Sequence, residues 1–279
     1  MDDPQRVLAD LGRRPDDAID LGRAALAVSR LFQPDVDADA SLAELDLLAA
    51  AARGLVRPDL DLLARVHALN ELLFDQLGFA GERDDFYDPR NSFLDQVLRR
   101  RRGIPISLSV LYCEVARRLG LPARGISFPA HFLVRVGRGD GLLVLDVYAG
   151  GVALSEVELD RRLAEVHGEG VVTVRANPSL LRPAGKRETL VRMLRNLAGI
   201  YAGRGDDVGH LTALTGMLDL MPDLPEVLQQ RGLLLYKLGH APAALADLRH
   251  FAEVSDDAEQ IAAVMPIIQE LAERPLRLH

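Results

Sequence analysis

The chain is predicted to adopt a mostly helical α+β fold, with one small antiparallel sheet near its middle and helical repeats towards its end. Three observations carry this. Apolar residues recur at helical spacing through residues 1–80. The spacing switches to strand-like alternation between Gly125 and Tyr148. From Lys186 onward a 34-residue helix–turn–helix period appears. Of the 279 residues, 48% are hydrophobic and 27% charged. That is globular composition at a length for one large domain or two ordinary ones.

The elements follow in order. Ile19, Leu21, Ala25, Leu26, Val28, Leu31 and Phe32 recur at helical spacing in a segment that stops before Pro34. Ser41 with Glu44 has the spacing of a capping box, starting a helix through Ala52. Another helix restarts after Pro58 and ends at Gly78. A polar segment, GERDDFYDPRN, precedes a short helix capped by Asn91 or Ser92 and closed by the run Arg99–Arg102. Those four cations suit a helix C-terminus. Ile104–Leu119 reads as a buried helix, stopped by Gly120 with Pro122 beyond it. Gly125–Phe128, His131–Val136 and Leu142–Tyr148 then alternate as strands, Ser155–Val166 returns to helix, and Val171–Val174 has the pattern of a further strand.

The terminal third repeats itself. LRNLAGIYAGRGD (194–206) reappears as LQQRGLLLYKLGHA (228–241), and Gly205 and Gly239 stand 34 residues apart, as do Asp223 and Asp257. This period is the tetratricopeptide signature. The predicted boundary therefore separates residues 1–185, an N-terminal helical region with the sheet-bearing core, from residues 186–279, the repeats. The concave face of such repeats grips peptides. Its polar candidates on the first helix of each unit are Arg192, Arg195, Asn196, Gln229, Gln230 and Lys237.

Charge and rare residues exclude several function classes. Net charge is −8, and residues 1–50 carry 11 Asp/Glu against 5 Arg. A nucleic-acid partner, which needs clustered positive charge, is not expected. One cysteine, Cys113, allows neither an intrachain disulfide nor a multi-cysteine metal site. Six residues beyond Ser107, it reads as a small buried hydrophobe. The seven histidines are scattered without an HExxH, and Asp84–Asn91 lacks a calcium-loop layout, so neither a metal nor another cofactor is expected. No apolar run approaches a membrane span, and MDDPQRVLAD lacks a signal-like apolar core. The expected location is the cytoplasm.

Residues 87–151 are the most distinctive stretch, through the segments RNSFLDQVL, RRGIPISLS, VARRLGLP, FPAHFLVRV and LDVYAGG. They resemble the SirB1 family, in which a transglutaminase-like, papain-like core precedes tetratricopeptide-like repeats. The resemblance implies a thiol-enzyme arrangement, with a cysteine at a helix start and a histidine and aspartate on adjacent strands facing it. His131 and Asp146 match the latter two. Aligned without gaps, Pro105 occupies the cysteine position, and proline in a first helical turn is ordinary structure. Ser107, two residues on, is the nearest hydroxyl. On the helical wheel it falls beside Glu114 and Arg118, on a polar face opposite Leu111, Val115 and Leu119. Two functions compete: a non-catalytic protein-interaction or regulatory module with a protein or peptide partner, and an amide-bond hydrolase or acyl transferase using Ser107, His131 and Asp146.

Overall fold

The structure, a computed structural model, describes residues 3–137 and 139–273. It divides into two compact units. One runs from Arg14 to Met193, and the other joins helix α1 (Pro4–Arg13) to the helices beyond Leu194.

The unit from Arg14 to Met193 begins with α2 (Leu21–Phe32), α3 (Ala38–Ala52) and α4 (Leu62–Asn70), which widens into a π turn over Glu71–Gln76. Each helix starts on an aspartate: Asp20, Asp37 and Asp61 accept the amides of Arg23, Ala40 and Ala64. Helix α3 thus opens at Asp37, ahead of the Ser41/Glu44 box, and Ser41 donates its hydroxyl back to the Asp37 carbonyl. Strands β1 (Ala80–Gly81) and β2 (Arg102–Gly103) form a short parallel pair around α5 (Leu94–Arg100).

Helix α6 (Pro105–Arg118) is the centre of this unit, buried without interruption from Ile106 to Ala116. Helices α2, α3 and α5 pack on it, as do β3 (Ala123–Ile126) and β4 (Leu133–Val136). With β5 (Leu143–Asp146) and β6 (Val152–Ala153) these strands complete a four-stranded antiparallel sheet in sequential order. Helix α7 (Glu156–His167) sets Leu159 and Leu163 against Ile126, Phe128 and Leu133. Val172 and Val174 also pack in that cluster, but residues 171–174 form no strand. Their alternation serves packing, and the Val174 amide goes to the Asp160 carboxylate.

Helix α8 (Lys186–Gly203) leads into the repeats, α9 (Asp207–Leu220), α10 (Pro225–Lys237), α11 (Ala241–Val254) and α12 (Ala258–Glu273). Gly205 and Gly239 both sit at positive φ, +68° and +80°, in the turns that end α8 and α10. The 34-residue spacing repeats this glycine because only it takes that backbone conformation without strain. Helices α10 and α11 approach closely where Gly232 faces the buried Leu248, and Arg231 grips Asp247 through two bonds of 2.7 and 2.8 Å.

Candidate functional site

Asp146 ends β5, one strand away from the segment that carries His131. The chain reaches His131 through a tight turn: its amide donates to the Phe128 carbonyl, and Ala130 takes a positive φ of 55°. Strand β4 starts only at Leu133, so the histidine stands on this turn rather than within the strand. Its ring is half-buried and makes no hydrogen bond among the described residues.

Three charged side chains act on that imidazole. Burial lowers its pKa below 6.5, Arg162 lowers it further, and Asp146 and Glu165 pull the other way. The structure therefore brings His131 and Asp146 into one electrostatic neighbourhood. It does not pair them in the manner of a triad. Asp146 Oδ2 accepts from Arg162 Nη2 at 2.6 Å, and Oδ1 accepts the Ala149 amide at 3.1 Å. The carboxylate thus engages a loop amide and a guanidinium, and no hydrogen bond joins it to the imidazole of His131 among the described residues. Arg162 Nη1 is buried without a hydrogen-bond partner among the described residues.

Ser107 is fully buried. Its hydroxyl lies 2.5 Å from the Asn91 carbonyl and 3.2 Å from that of Ile104, and it accepts the Ile104 amide at 3.1 Å. It serves as the cap at the start of α6 and the bolt that holds this start to the Asn91 segment. No hydrogen bond joins it to His131 among the described residues. The polar face on which the helical wheel places Ser107 is buried: Glu114 is only 2% exposed, and it is neutralised by Arg117 and Arg118 at 3.0 and 2.6 Å. Pro105 holds the first position of α6, and its carbonyl accepts from Ser109, whose hydroxyl also reaches the Phe132 carbonyl at 3.5 Å. The helix start thus meets the chain next to His131 through Ser109. Cys113 is buried, with its thiol pushed up to about 12 by burial and by Glu114. A thiol so protonated is a poor nucleophile.

Sequence reasoning overlooked Arg162. It sits on α7 between the core residues Leu159 and Leu163, and no spacing rule links it to a carboxylate 16 residues earlier. The run Arg99–Arg102 is spent locally: Arg100 bonds Asn91, Arg101 the Leu77 carbonyl and Arg102 the Gly78 carbonyl.

The repeat helices enclose a separate cavity of about 730 Å³. Arg195, Gln230 and Lys237 line it, whereas Arg192, Asn196 and Gln229 are not on its wall. Ala198, Met217 and Leu234 give it an apolar floor. Its cations are paired, Arg195 with Glu226 at 2.6 Å and Lys237 with Asp207 at 2.7 Å, so its wall is close to neutral.

Among the described residues no three His, Cys, Asp or Glu side chains gather as a metal site. Nor, among the described residues, is any helix long and apolar enough to cross a membrane.

Comparison with known proteins places both units. A model of the transglutaminase-like superfamily matches residues 39–195, and a tetratricopeptide-repeat model matches residues 197–269. A UPF0162 protein of Xylella fastidiosa (strain Temecula1) is 37% identical over 268 residues, covering 95% of this chain and 94% of its own. A UPF0162 protein of Vibrio cholerae is 29% identical across 85% of this chain and 87% of its own. F-box only protein 21 of Homo sapiens is 34% identical over 179 residues, which is 63% of this chain and 28% of that one. The chain belongs to the UPF0162 family of the transglutaminase-like superfamily, with tetratricopeptide repeats following its transglutaminase-like domain.

Proposed function

We propose that this protein is a non-catalytic, SirB1-type transglutaminase-like protein that works as a protein-interaction or regulatory module, seating a peptide on its repeats. The carrying observation is the cavity on α8, α9 and α10: apolar at its floor, polar at Arg195, Gln230 and Lys237, and of ligand-binding size. The state of the other candidate site supports the same reading. Pro105 stands at the thiol position, Ser107 is consumed by backbone bonds, and Asp146 is held by Arg162. The lone, buried, unpaired Cys113 suits a reducing compartment, and the cytoplasm is the proposed location.

A panel of peptides displayed on phage, selected against the full chain, tests the reading. Selected peptides should bind the wild type saturably, and Gln230→Ala with Lys237→Ala should weaken them by about fivefold or more, as for contacts at the centre of an interface. Binding unchanged in that variant would remove the repeat cavity as the seat. The alternative, an amide-bond hydrolase or acyl transferase built on Ser107, His131 and Asp146, predicts covalent labelling of Ser107 by a fluorophosphonate. Labelling lost in Ser107→Ala would overturn the non-catalytic reading.

A further inference from the structure

A second cavity, of about 520 Å³, lies within the transglutaminase-like unit and takes no part in the function proposed above. Its wall is built from the second half of α6, from β3 and β4, and from the first turns of α8. Four of its side chains are cations, namely Arg117, Arg124, Arg135 and Lys186. Glu114 is the one carboxylate among the residues lining it. In a chain of net charge −8, a cavity with four cations to one acid runs against the composition.

The bonding of each group shows how much of that charge remains. Glu114 is taken by Arg117 and also by Arg118, which is not on the wall. Arg135 donates through Nη1 to the Leu181 carbonyl at 3.0 Å. Lys186 donates through Nζ to the carbonyls of Asp17 and Ile19. Neutral carbonyls fix the direction of a cation and leave its charge uncancelled. Asp16 lies next to this end of α8, but its carboxylate is engaged by the amides of Lys186 and Arg187 and is absent from the wall. The Arg124 side chain is exposed and makes neither hydrogen bond nor ion pair among the described residues. Its charge still reaches the cavity, where it acts on the Cys113 thiol. In the repeat cavity each cation has its own carboxylate, and here three of four lack one.

We propose that this cavity is an anion site for a small molecule carrying a phosphate or carboxylate group, with Arg124 and Arg135 as its principal ligands and Lys186 as a fixed third charge. Guanidinium forks suit both oxyanions through paired N–H donors. The volume falls in the range of small-molecule sites. The Arg124 side chain, exposed and without a partner among the described residues, can turn onto the ligand.

Calorimetric titration of the full chain with inorganic pyrophosphate, and separately with citrate, tests this. Saturable one-site binding of either probe is expected, weakening as sodium chloride rises from about 50 to 200 mM. A response to pyrophosphate alone would identify a phosphate site, and a response to citrate alone a carboxylate site. Arg124→Ala should reduce affinity about tenfold or more, while Arg124→Lys retains part of it. Because Arg124 is exposed and unpartnered, these variants leave the fold intact. Arg161→Ala, an exposed cation on α7 away from the cavity wall, should bind as the wild type does. Two results would overturn the proposal: no saturable binding of either probe at millimolar concentration, or an equal loss in Arg161→Ala.

Discussion

Replacing Arg162 with methionine tests the central claim about the transglutaminase-like site, that Asp146 is held by this guanidinium and not by His131. Both partners are largely withdrawn from water, with side-chain exposures of 8% for Asp146 and 15% for Arg162. Their 2.6 Å contact is therefore poorly screened. Methionine fills most of the aliphatic volume but leaves Asp146 with the Ala149 amide as its remaining hydrogen bond. Breaking such a pair on one side strands a buried charge and costs about 3–5 kcal/mol. Urea denaturation followed by circular dichroism reads the loss. The double variant Arg162→Met/Asp146→Asn should lose less than the two single losses summed, with a coupling of about 1–3 kcal/mol. The same substitution has a second readout. Arg162 is one cause of the lowered His131 pKa, so its removal should raise that pKa, as followed by NMR titration of the imidazole. A cost below about 1 kcal/mol, additive single variants, or a His131 pKa that stays put would each refute the arrangement.

Other outcomes follow from the same geometry. Ser107→Ala should destabilise the protein by about 0.5–2 kcal/mol, since it removes the hydroxyl's bonds to the Asn91 carbonyl and the Ile104 amide and leaves those two groups only their own 3.3 Å bond to each other; an unchanged denaturation midpoint would count against its role as a bolt. His131 and His210 both have pKa values lowered chiefly by burial. The unfolded chain therefore binds their protons at higher pH than the folded chain does, and stability should fall as pH drops through about 6.5. Melting temperatures from pH 8 to 5 should show this slope flattened in His131→Asn/His210→Gln, and a slope unaffected by those substitutions would contradict it. Gly232→Ala would place its methyl 2.7 Å from Leu248 Cδ2, in a fully buried contact, and should cost about 1–3 kcal/mol by overpacking. A neutral effect on thermal unfolding would mean that α10 and α11 are less tightly packed than the structure shows.

What could be read from the sequence was what periodicity and local chemistry encode. The 34-residue spacing of Gly205 and Gly239 marked the repeats because a left-handed turn residue recurs in the same place. Sheet and helices followed from the change of period near Gly125. Helix starts were less certain, since several capping residues compete: Asp37 lies four positions before Ser41 and wins α3. Long-range polar pairing left no trace. The link from Asp146 to Arg162, and that from Ser107 to the Asn91 carbonyl, depend on which surfaces tertiary packing turns towards each other. The helical wheel misled at Ser107 and Glu114 for the same reason. It sorts residues by polarity, while in α6 both faces are covered and the polar groups are satisfied by neighbours instead of water.

On the non-catalytic reading proposed above, two positions make the start of α6 structural and not reactive. A nucleophile in the first turn of α6 needs a free side chain, accessible space and a base within reach. Pro105 removes the first, having no reactive atom, and its fixed φ suits the helix entry. Ser107 fails the second, being fully buried, with its oxygen shared among Asn91 and both backbone groups of Ile104. Its N-cap bonds and the Asn91 contact pin the turn, so exposing the hydroxyl would break all of these bonds at once. The third requirement is also altered, because Arg162 holds the carboxylate that would orient His131. On that reading a reactive site would take coordinated change at Pro105, at the Ser107 bolt and at Arg162, and Pro105→Cys alone should leave Asp146 still bound to Arg162 and the new thiol unlabelled by an acylating probe.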